Sequence, residues 1–284
     1  MANISAKDVK ALREETGAGM MDCKNALKDA EGDAKKAVEL LRERGLSKAG
    51  KRAGRATSEG TVGFAIAGAD ASIVELGCET DFVAKTDDFQ NLVQQVAEVV
   101  ASDASIDSSE KALAAKLGEG SVDDTIKATV AKVGENIELK RVGRVSAGQG
   151  VAGGYVHAGG KLGVVVALHS AAGAGSLGAV AKDISMHVAA VDPTPVAVDR
   201  DGVAADLVES EKNILRKQAE QSGKPEKVIE KIVEGRINKF YGEHCLLEQG
   251  FVKDPDKTVG QMLGEAGDDI AVAGFVRFKL GEAS

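Results

Sequence analysis

Residues 60–79, "GTVGFAIAGADASIVELGCE", carry apolar side chains at Val62, Phe64 and Ile66, reach Gly68-Ala69-Asp70, and return through Ile73, Leu76 and Cys78. A period of two puts successive side chains on opposite faces of an extended chain, so two such runs around a glycine-led turn predict a β-hairpin. The alternation stops at "TDFV", residues 80–83. A helical repeat begins at about Thr86, with Phe89, Leu92, Val93, Val96 and Val100 on one face. Phe82 therefore precedes the helical stripe and directly follows an acid. Either it packs onto its own helix as a hydrophobic staple or it is left out for a partner.

The pattern recurs. "GGYVHAGGKLGVVVALHS" (153–170) predicts two strands around Gly159-Gly160, and "LGAVAKDISMHVAAVDP" (177–193) predicts a helix with Val180, Ile184, His187 and Val188 on one side, ended by Pro193. Hairpin followed by helix, twice, predicts an α+β core of two related subdomains with antiparallel sheets. "ENIELKRVGRVS" (135–146) reads as a further strand, residues 109–134 as further helix, and "DIAVAGFVRFKL" (269–280) as a last strand placing Ile270, Val272, Phe275 and Phe278 mostly in the core.

Two helical parts flank or interrupt this core. In residues 5–45, Ser5 with Asp8 forms a capping box and Val9 and Leu12 share a face, with Thr16-Gly17 stopping the helix. "AGMMDCKNALKDA" then sets Met20, Cys23, Ala26, Leu27 and Ala30 at helical spacing, and a third helix runs from the cap Asp33 through Ala37, Val38 and Leu41 to Gly45. This three-helix module has a small core, which makes the Gly17–Met21 corner a docking place. In residues 203–247, Leu207, Val208, Ile214 and Leu215 recur at sevens on a charged background. Gly223 and Pro225 mark a stop and a restart, and Val228, Ile229, Ile232, Val233, Ile237 and Phe240 run back, which predicts an inserted, protruding antiparallel helical hairpin. The expected division is 1–55 for the three-helix module and its basic linker, 56–140 and 141–202 for the two core subdomains, 203–247 for the hairpin, and 248–284 for the rest of the second subdomain.

Composition bounds the function. With 284 residues, 43% hydrophobic and 28% charged, the chain is expected to be a soluble protein of two or three parts. It has no apolar run long enough to span a bilayer, and its N-terminus resembles neither a secretion signal nor a transit peptide, so the cytoplasm is its expected location. Three cysteines, Cys23, Cys78 and Cys245, share no metal-ligand spacing and are expected to pack. A net charge of −8 opposes general binding to nucleic acid. The basic stretch 42–55, with Arg42, Arg44, Lys48, Lys51, Arg52 and Arg55, lacks interleaved aromatic residues and reads as a solvated linker helix.

Catalytic candidates fare poorly. His157, His169, His187 and His244 could pair with a cysteine, but the adjacent His244 and Cys245 point about 100° apart on a helix. No nucleophile-elbow, phosphate-loop or metalloprotease motif occurs. The pairs Gly153-Gly154 and Gly159-Gly160 fit strand turns, and His187 on an apolar face fits a hydrogen-bonded core residue. Neither a bound cofactor nor a metal is expected.

The segments "TGAGMMDCKNAL" (16–27), "CETDFVAK" (78–85), "VGENIELKRV" (133–142), "MHVAA" (186–190), "SGKPEKVIEKIVEGRINKF" (222–240) and "KTVGQML" (257–263) together resemble, in order over nearly the whole chain, the elongation factor Ts family of translation factors. The resemblance implies a ubiquitin-associated type of N-terminal module and a function without covalent chemistry. That function is to bind the GTPase elongation factor Tu and catalyse exchange of GDP for GTP by destabilising the magnesium and nucleotide site. By resemblance, the segment Thr80, Asp81, Phe82 and Val83 meets the GTPase near its magnesium. By the same resemblance, Lys24 with Met20 and Met21 meets its nucleotide domain, the pair Val133-Gly134 makes contact beside the T-D-F-V segment, and His157 with neighbouring core residues meets a second domain. The chain is expected to lack the extra C-terminal helical module of some members. The hairpin is a possible association surface; neither membrane nor direct nucleic-acid binding is expected. A peptide-binding adaptor built on residues 1–45 would leave the doubled core unexplained, and an RNA-binding protein working through the basic stretch would lose affinity steeply with salt.

Overall fold

The computed structural model describes residues 4–171, 177–221, 223, 225–267 and 269–282, with backbone alone at 46–49. Lys48 of the basic stretch, Ser222 and Lys224 of the 203–247 segment, and Ala283 and Ser284 lie outside the described side chains or residues. The protein is α+β. Helices α1 (Ala6–Thr16), α2 (Met20–Asp29) and α3 (Ala34–Arg52) form the N-terminal module. Ser5 and Asp8 make the expected reciprocal capping box, and Gly17, at φ 66°, takes the left-handed conformation that closes α1.

One expectation fails in this module. Gly45 does not end α3, which runs on through the basic stretch to Arg52. The reason is packing: a Cβ on Gly45 would stand 2.9 Å from Cβ of Ala131, so the glycine admits a neighbouring helix rather than terminating its own.

The hairpin of residues 60–79 forms as read. Strands β1 (Glu59–Ala67) and β2 (Asp70–Cys78) pair antiparallel from Glu59↔Cys78 to Ala67↔Asp70, with Gly68 at φ 65° in the tight turn. A one-turn helix α4 (Asp81–Ala84) and then α5 (Asp87–Ser102) follow. The single helical stretch expected at 109–134 is two helices, α6 (Ser109–Ala114) and α7 (Val122–Val133). They are separated by the short strands β3 (Lys116–Leu117) and β4 (Gly120–Ser121), which turn at Gly118 with φ 63°. Strand β5 (Ile137–Ser146) completes a sheet of order β1-β2-β5 and runs through residue 140, where a β-bulge leaves Lys140 unpaired between the rungs Glu75↔Arg141 and Leu76↔Leu139.

The second sheet, β10-β7-β6, is built from β6 (Gly150–Val156), β7 (Leu162–Ser170) and β10 (Ile270–Lys279). Helix α8 (Leu177–Ala190) covers its outer face, joined by α11 (Val259–Ala266) and the small hairpin of β8 (Gly250–Phe251) with β9 (Asp254–Thr258). The two sheets pack face to face over Val62, Ile73, Val145, Val165, Ala167 and Phe278, while Phe89, Leu92, Val96 and Ile126 seal the first sheet's outer side. Each of the larger of these side chains, from valine upward, contributes about 1.5–3 kcal/mol when withdrawn from water. The sheets approach so closely that a Cβ on Gly154 would lie 2.6 Å from the Phe64 ring.

Helices α9 (Ala205–Glu220) and α10 (Glu226–His244) make the antiparallel hairpin. Of its two heptad stripes, Val208 and Leu215 are buried against Ile229, Val233, Ile237 and Phe240, whereas Leu207 and Ile214 stay exposed because one facing helix covers one stripe. At its base His187 is buried as expected. The Val252 amide donates to its Nδ1 at 3.2 Å, so Nε2 carries the proton and donates to Gln249 Oε1 at 3.1 Å. All three cysteines are buried and free. Among the described residues, no helix is long and apolar enough to cross a membrane.

Candidate functional site

Phe82 is 80% exposed, whereas Phe89, seven residues on, is fully buried. The local chemistry explains the difference. Thr80 is extended and caps α4, its hydroxyl accepting from the Val83 amide at 3.4 Å, and Thr86 caps α5 by accepting from the Phe89 amide at 3.3 Å. Between these caps Val83 and Ala84 turn inward and are buried. A single helical turn whose inner face is taken by those two must direct its second residue outward. Phe82 is thus presented on a capped helical turn rather than on a loop, and it does not staple onto α5.

Asp81 lies beside it. Lys85, one turn on, holds its carboxylate at 2.6 Å, and this hydrogen bond, with smaller help from the positive charges of Lys85 and Lys161, keeps the carboxyl below the usual range. Asp81 and Lys85 also border a groove of about 460 Å³ whose far wall is His157, Gly159, Gly160 and Lys161. The structure therefore brings together two predicted positions, Asp81 and His157, that lie in different subdomains. His157 is exposed on the turn after β6 and is hydrogen-bonded to the Tyr155 hydroxyl at 2.9 Å. Lys161 pairs with Glu59 at 2.9 Å, and the Gly160 carbonyl accepts from the Val62 amide at 2.7 Å, which pins the His157 turn to the first sheet.

Val133 and Gly134 end α7, Gly134 in the left-handed conformation at φ 85°. The next residue, Glu135, accepts from both the amide and the hydroxyl of Thr80, at 2.9 and 2.7 Å, so this corner and the T-D-F-V turn are one surface. Lys132 links it to the N-terminal module: its Nζ pairs with Asp88 at 2.5 Å, and its side chain lies 2.6 Å from where a Cβ on Gly17 would stand. Beyond Gly17, Met20 and Met21 are 59% and 63% exposed at the start of α2, and Lys24 is exposed one turn on. Cys23, Ala26 and Leu27 take the buried face, leaving the two methionines outside.

Four residues of this surface escaped the sequence reading: Lys85, Gln90, Glu135 and Lys161. Lys85 was legible as the i+4 partner of an acid on a helix. Gln90, which donates to the Ala84 carbonyl at 2.6 Å and to Thr61 Oγ1 at 3.2 Å, carries no pattern of its own. Glu135 and Lys161 lie far along the chain from the turn they serve. The surface holds no poised nucleophile: burial, with help from the Glu135 charge, pushes the Cys78 thiol up to about 11, and the thiol donates to the Thr80 carbonyl. What the arrangement offers is an apolar ring beside a fixed carboxylate, both facing solvent.

The family profile described as Elongation factor TS matches residues 79–282. The chain is similar to the elongation factor Ts of Bradyrhizobium sp. (strain ORS 278), at 47% identity over 99% of this chain and 94% of that protein. It is similar to that of Lactiplantibacillus plantarum at 46% over 99% and 94%, and to that of Chlorobium phaeobacteroides (strain BS1) at 47% over 99% and 100%.

Proposed function

The chain belongs to the elongation factor Ts family of translation factors, and from that premise we propose that it binds the GTPase elongation factor Tu and accelerates release of GDP for exchange with GTP. The observation that carries the reading is Phe82, a large ring 80% exposed on a turn whose neighbours Val83 and Ala84 are buried. Leaving a phenylalanine in water forgoes about 1.5–3 kcal/mol of burial that a partner's pocket can recover.

The mechanism is linkage. A factor that binds the nucleotide-free GTPase more tightly than the nucleotide-bound form weakens nucleotide binding by the same factor, with no covalent step. Phe82 enters the GTPase beside its magnesium site, and Asp81 competes there for groups that hold the ion or its water. One ring supplies only about one to two decades in an equilibrium constant. Thr80, Val83, Val133 and Gly134 therefore extend the contact on the nucleotide domain, with Met20, Met21 and Lys24 adding affinity and His157 touching a second domain across the groove. The working division we propose keeps bounds near residues 55, 140, 202 and 247, with β5 crossing the second. The hairpin is an accessory association surface, since Leu207, Ile214 and Val228 remain exposed on it.

The test is release of labelled GDP from purified elongation factor Tu. The chain should accelerate release catalytically, at sub-stoichiometric amounts; release that is unchanged would overturn the proposal.

A further inference from the structure

We infer that Glu135 is a positioning residue that turns the chain out of the sheet at Thr80 and so presents Phe82, an inference that rests on the docking role proposed for that ring. The rungs between β2 and β5 end at Cys78↔Ile137. Continued, the ladder would pair Glu79 with Asn136 and Thr80 with Glu135. Two carboxylates replace it. Glu79 Oε1 accepts from the Asn136 amide at 2.7 Å, and Glu135 Oε2 accepts from the Thr80 amide at 2.9 Å, each glutamate reaching across to the other strand's backbone. A glutamate side chain is longer than a carbonyl, so the two chains diverge here while their amides remain satisfied.

The second oxygen of Glu135 takes the next step. Oε1 accepts the Thr80 hydroxyl proton at 2.7 Å, which leaves that hydroxyl's lone pairs for the Val83 amide and so permits the cap of α4. Phe82, being 80% exposed, cannot hold its own turn by packing. The turn is held from below by this strap together with Val83 and Ala84. Gly134 makes the geometry possible: its φ of 85° ends α7 and redirects the chain toward Thr80. Asn136 Nδ2 anchors the far side by donating to the Arg55 carbonyl at 2.9 Å. A turn fixed before docking avoids an ordering cost on docking.

Glu135→Ala in the full chain tests this, with Glu135→Gln, which keeps one oxygen acceptor, as the conservative control. Once the wild-type chain has been shown to release labelled GDP, Glu135→Ala should lose on the order of ten-fold in rate at sub-saturating factor. Glu135→Gln should recover part of the loss. In a Phe82→Ala background Glu135→Ala should cost clearly less, because the strap then presents only the smaller contacts of Thr80, Asp81 and Val83. An equal loss in both backgrounds overturns the inference. Amide hydrogen exchange on the isolated chain needs no partner: Glu135→Ala should speed exchange at Val83 and Ala84 while leaving Leu92 and Val93 of α5 protected. Unchanged protection at Val83 and Ala84 overturns the strap. A wild-type chain that releases no GDP overturns the exchange function instead, and hydrogen exchange then decides the strap alone.

Discussion

Phe82 and Phe89 are the same side chain seven residues apart, one 80% exposed on a one-turn helix and the other fully buried on α5. The stripe of Leu92, Val93, Val96 and Val100 accounts for Phe89, since α5 must lay that face on the first sheet. No stripe accounts for Phe82. Its exposure is produced by the Thr80 cap and by Val83 and Ala84 turning inward. Burial is thus a collective property of a repeat, whereas exposure of a large ring is arranged by a few single contacts, here the Thr80 cap and the Glu135 carboxylate that holds it.

The largest effect expected from breaking this contrast is on the buried member. Phe89→Ala should destabilise the fold by about 3–5 kcal/mol, read as a fall in the denaturant midpoint, with GDP release preserved per folded molecule. Phe82→Ala should do the reverse, slowing catalysed GDP release roughly ten- to hundred-fold while changing stability by less than about 1 kcal/mol. Adding Asp81→Ala should then cost less than the sum of the single losses if both side chains act on one magnesium-linked step. A large fall in midpoint for Phe82→Ala with exchange preserved would make the two phenylalanines equivalent and remove the contrast.

The same division explains what was legible in the sequence. The hairpin of β1 and β2 and the face of α5 could be read because a period of 2 or 3.6 repeats often enough to outweigh its exceptions. Gly45 misled because a glycine after an amphipathic run usually ends a helix; here it admits Ala131 of α7, a neighbour 86 positions away that no local window contains. Residues 109–134 misled similarly, since two-residue strands around Gly118 are shorter than any detectable period. At the site, the local pattern left Phe82 open between a staple and a partner contact, and the family resemblance favoured the partner contact. Glu135 and Lys161 were invisible because they reach the turn across sheet and subdomain, at separations where sequence alone carries no geometry.

A third effect sharpens the contrast from the buried side. His187 is enclosed at the base of the hairpin, and burial, opposed by its hydrogen bond to Gln249, lowers its pKa from the ordinary value. The folded state therefore prefers the neutral ring. Stability is fully present above the ordinary histidine value of about 6.5, and declines as pH falls below it toward the folded-state value, because the unfolded chain then binds the proton more readily. Urea unfolding at pH 7.5 and 5.5 should show this loss in the wild type and a smaller one in His187→Gln. Equal losses would assign the acid sensitivity elsewhere. The fourth effect is smaller again: Lys24→Ala, on the exposed corner with Met20 and Met21, should weaken the complex with nucleotide-free elongation factor Tu by roughly two- to five-fold. An unchanged dissociation constant would reduce the N-terminal module to a structural cap.

The smallest effect belongs to Lys85, and it tests how the exposed side of the contrast is held together. Its ammonium lies 2.6 Å from the Asp81 carboxylate, and that hydrogen bond is the largest cause of the lowered Asp81 pKa. A depressed carboxyl contributes stability that is present above its unfolded value of about 3.9 and lost as pH falls through the folded one. Both groups face solvent, so near pH 7 the pair should contribute little to the fold. Asp81 is ionised at pH 7 with or without Lys85. If the carboxylate itself acts on the GTPase, Lys85→Met should leave the melting temperature unchanged and alter GDP release by less than about two-fold. The carbon-13 titration of the Asp81 carboxyl should meanwhile move upward in pH. A loss of exchange as deep as that of Phe82→Ala, at an unchanged melting temperature, would show that Lys85 touches the partner in its own right. The exposed ring would then be one half of a charged and apolar pair rather than a wedge served by Asp81.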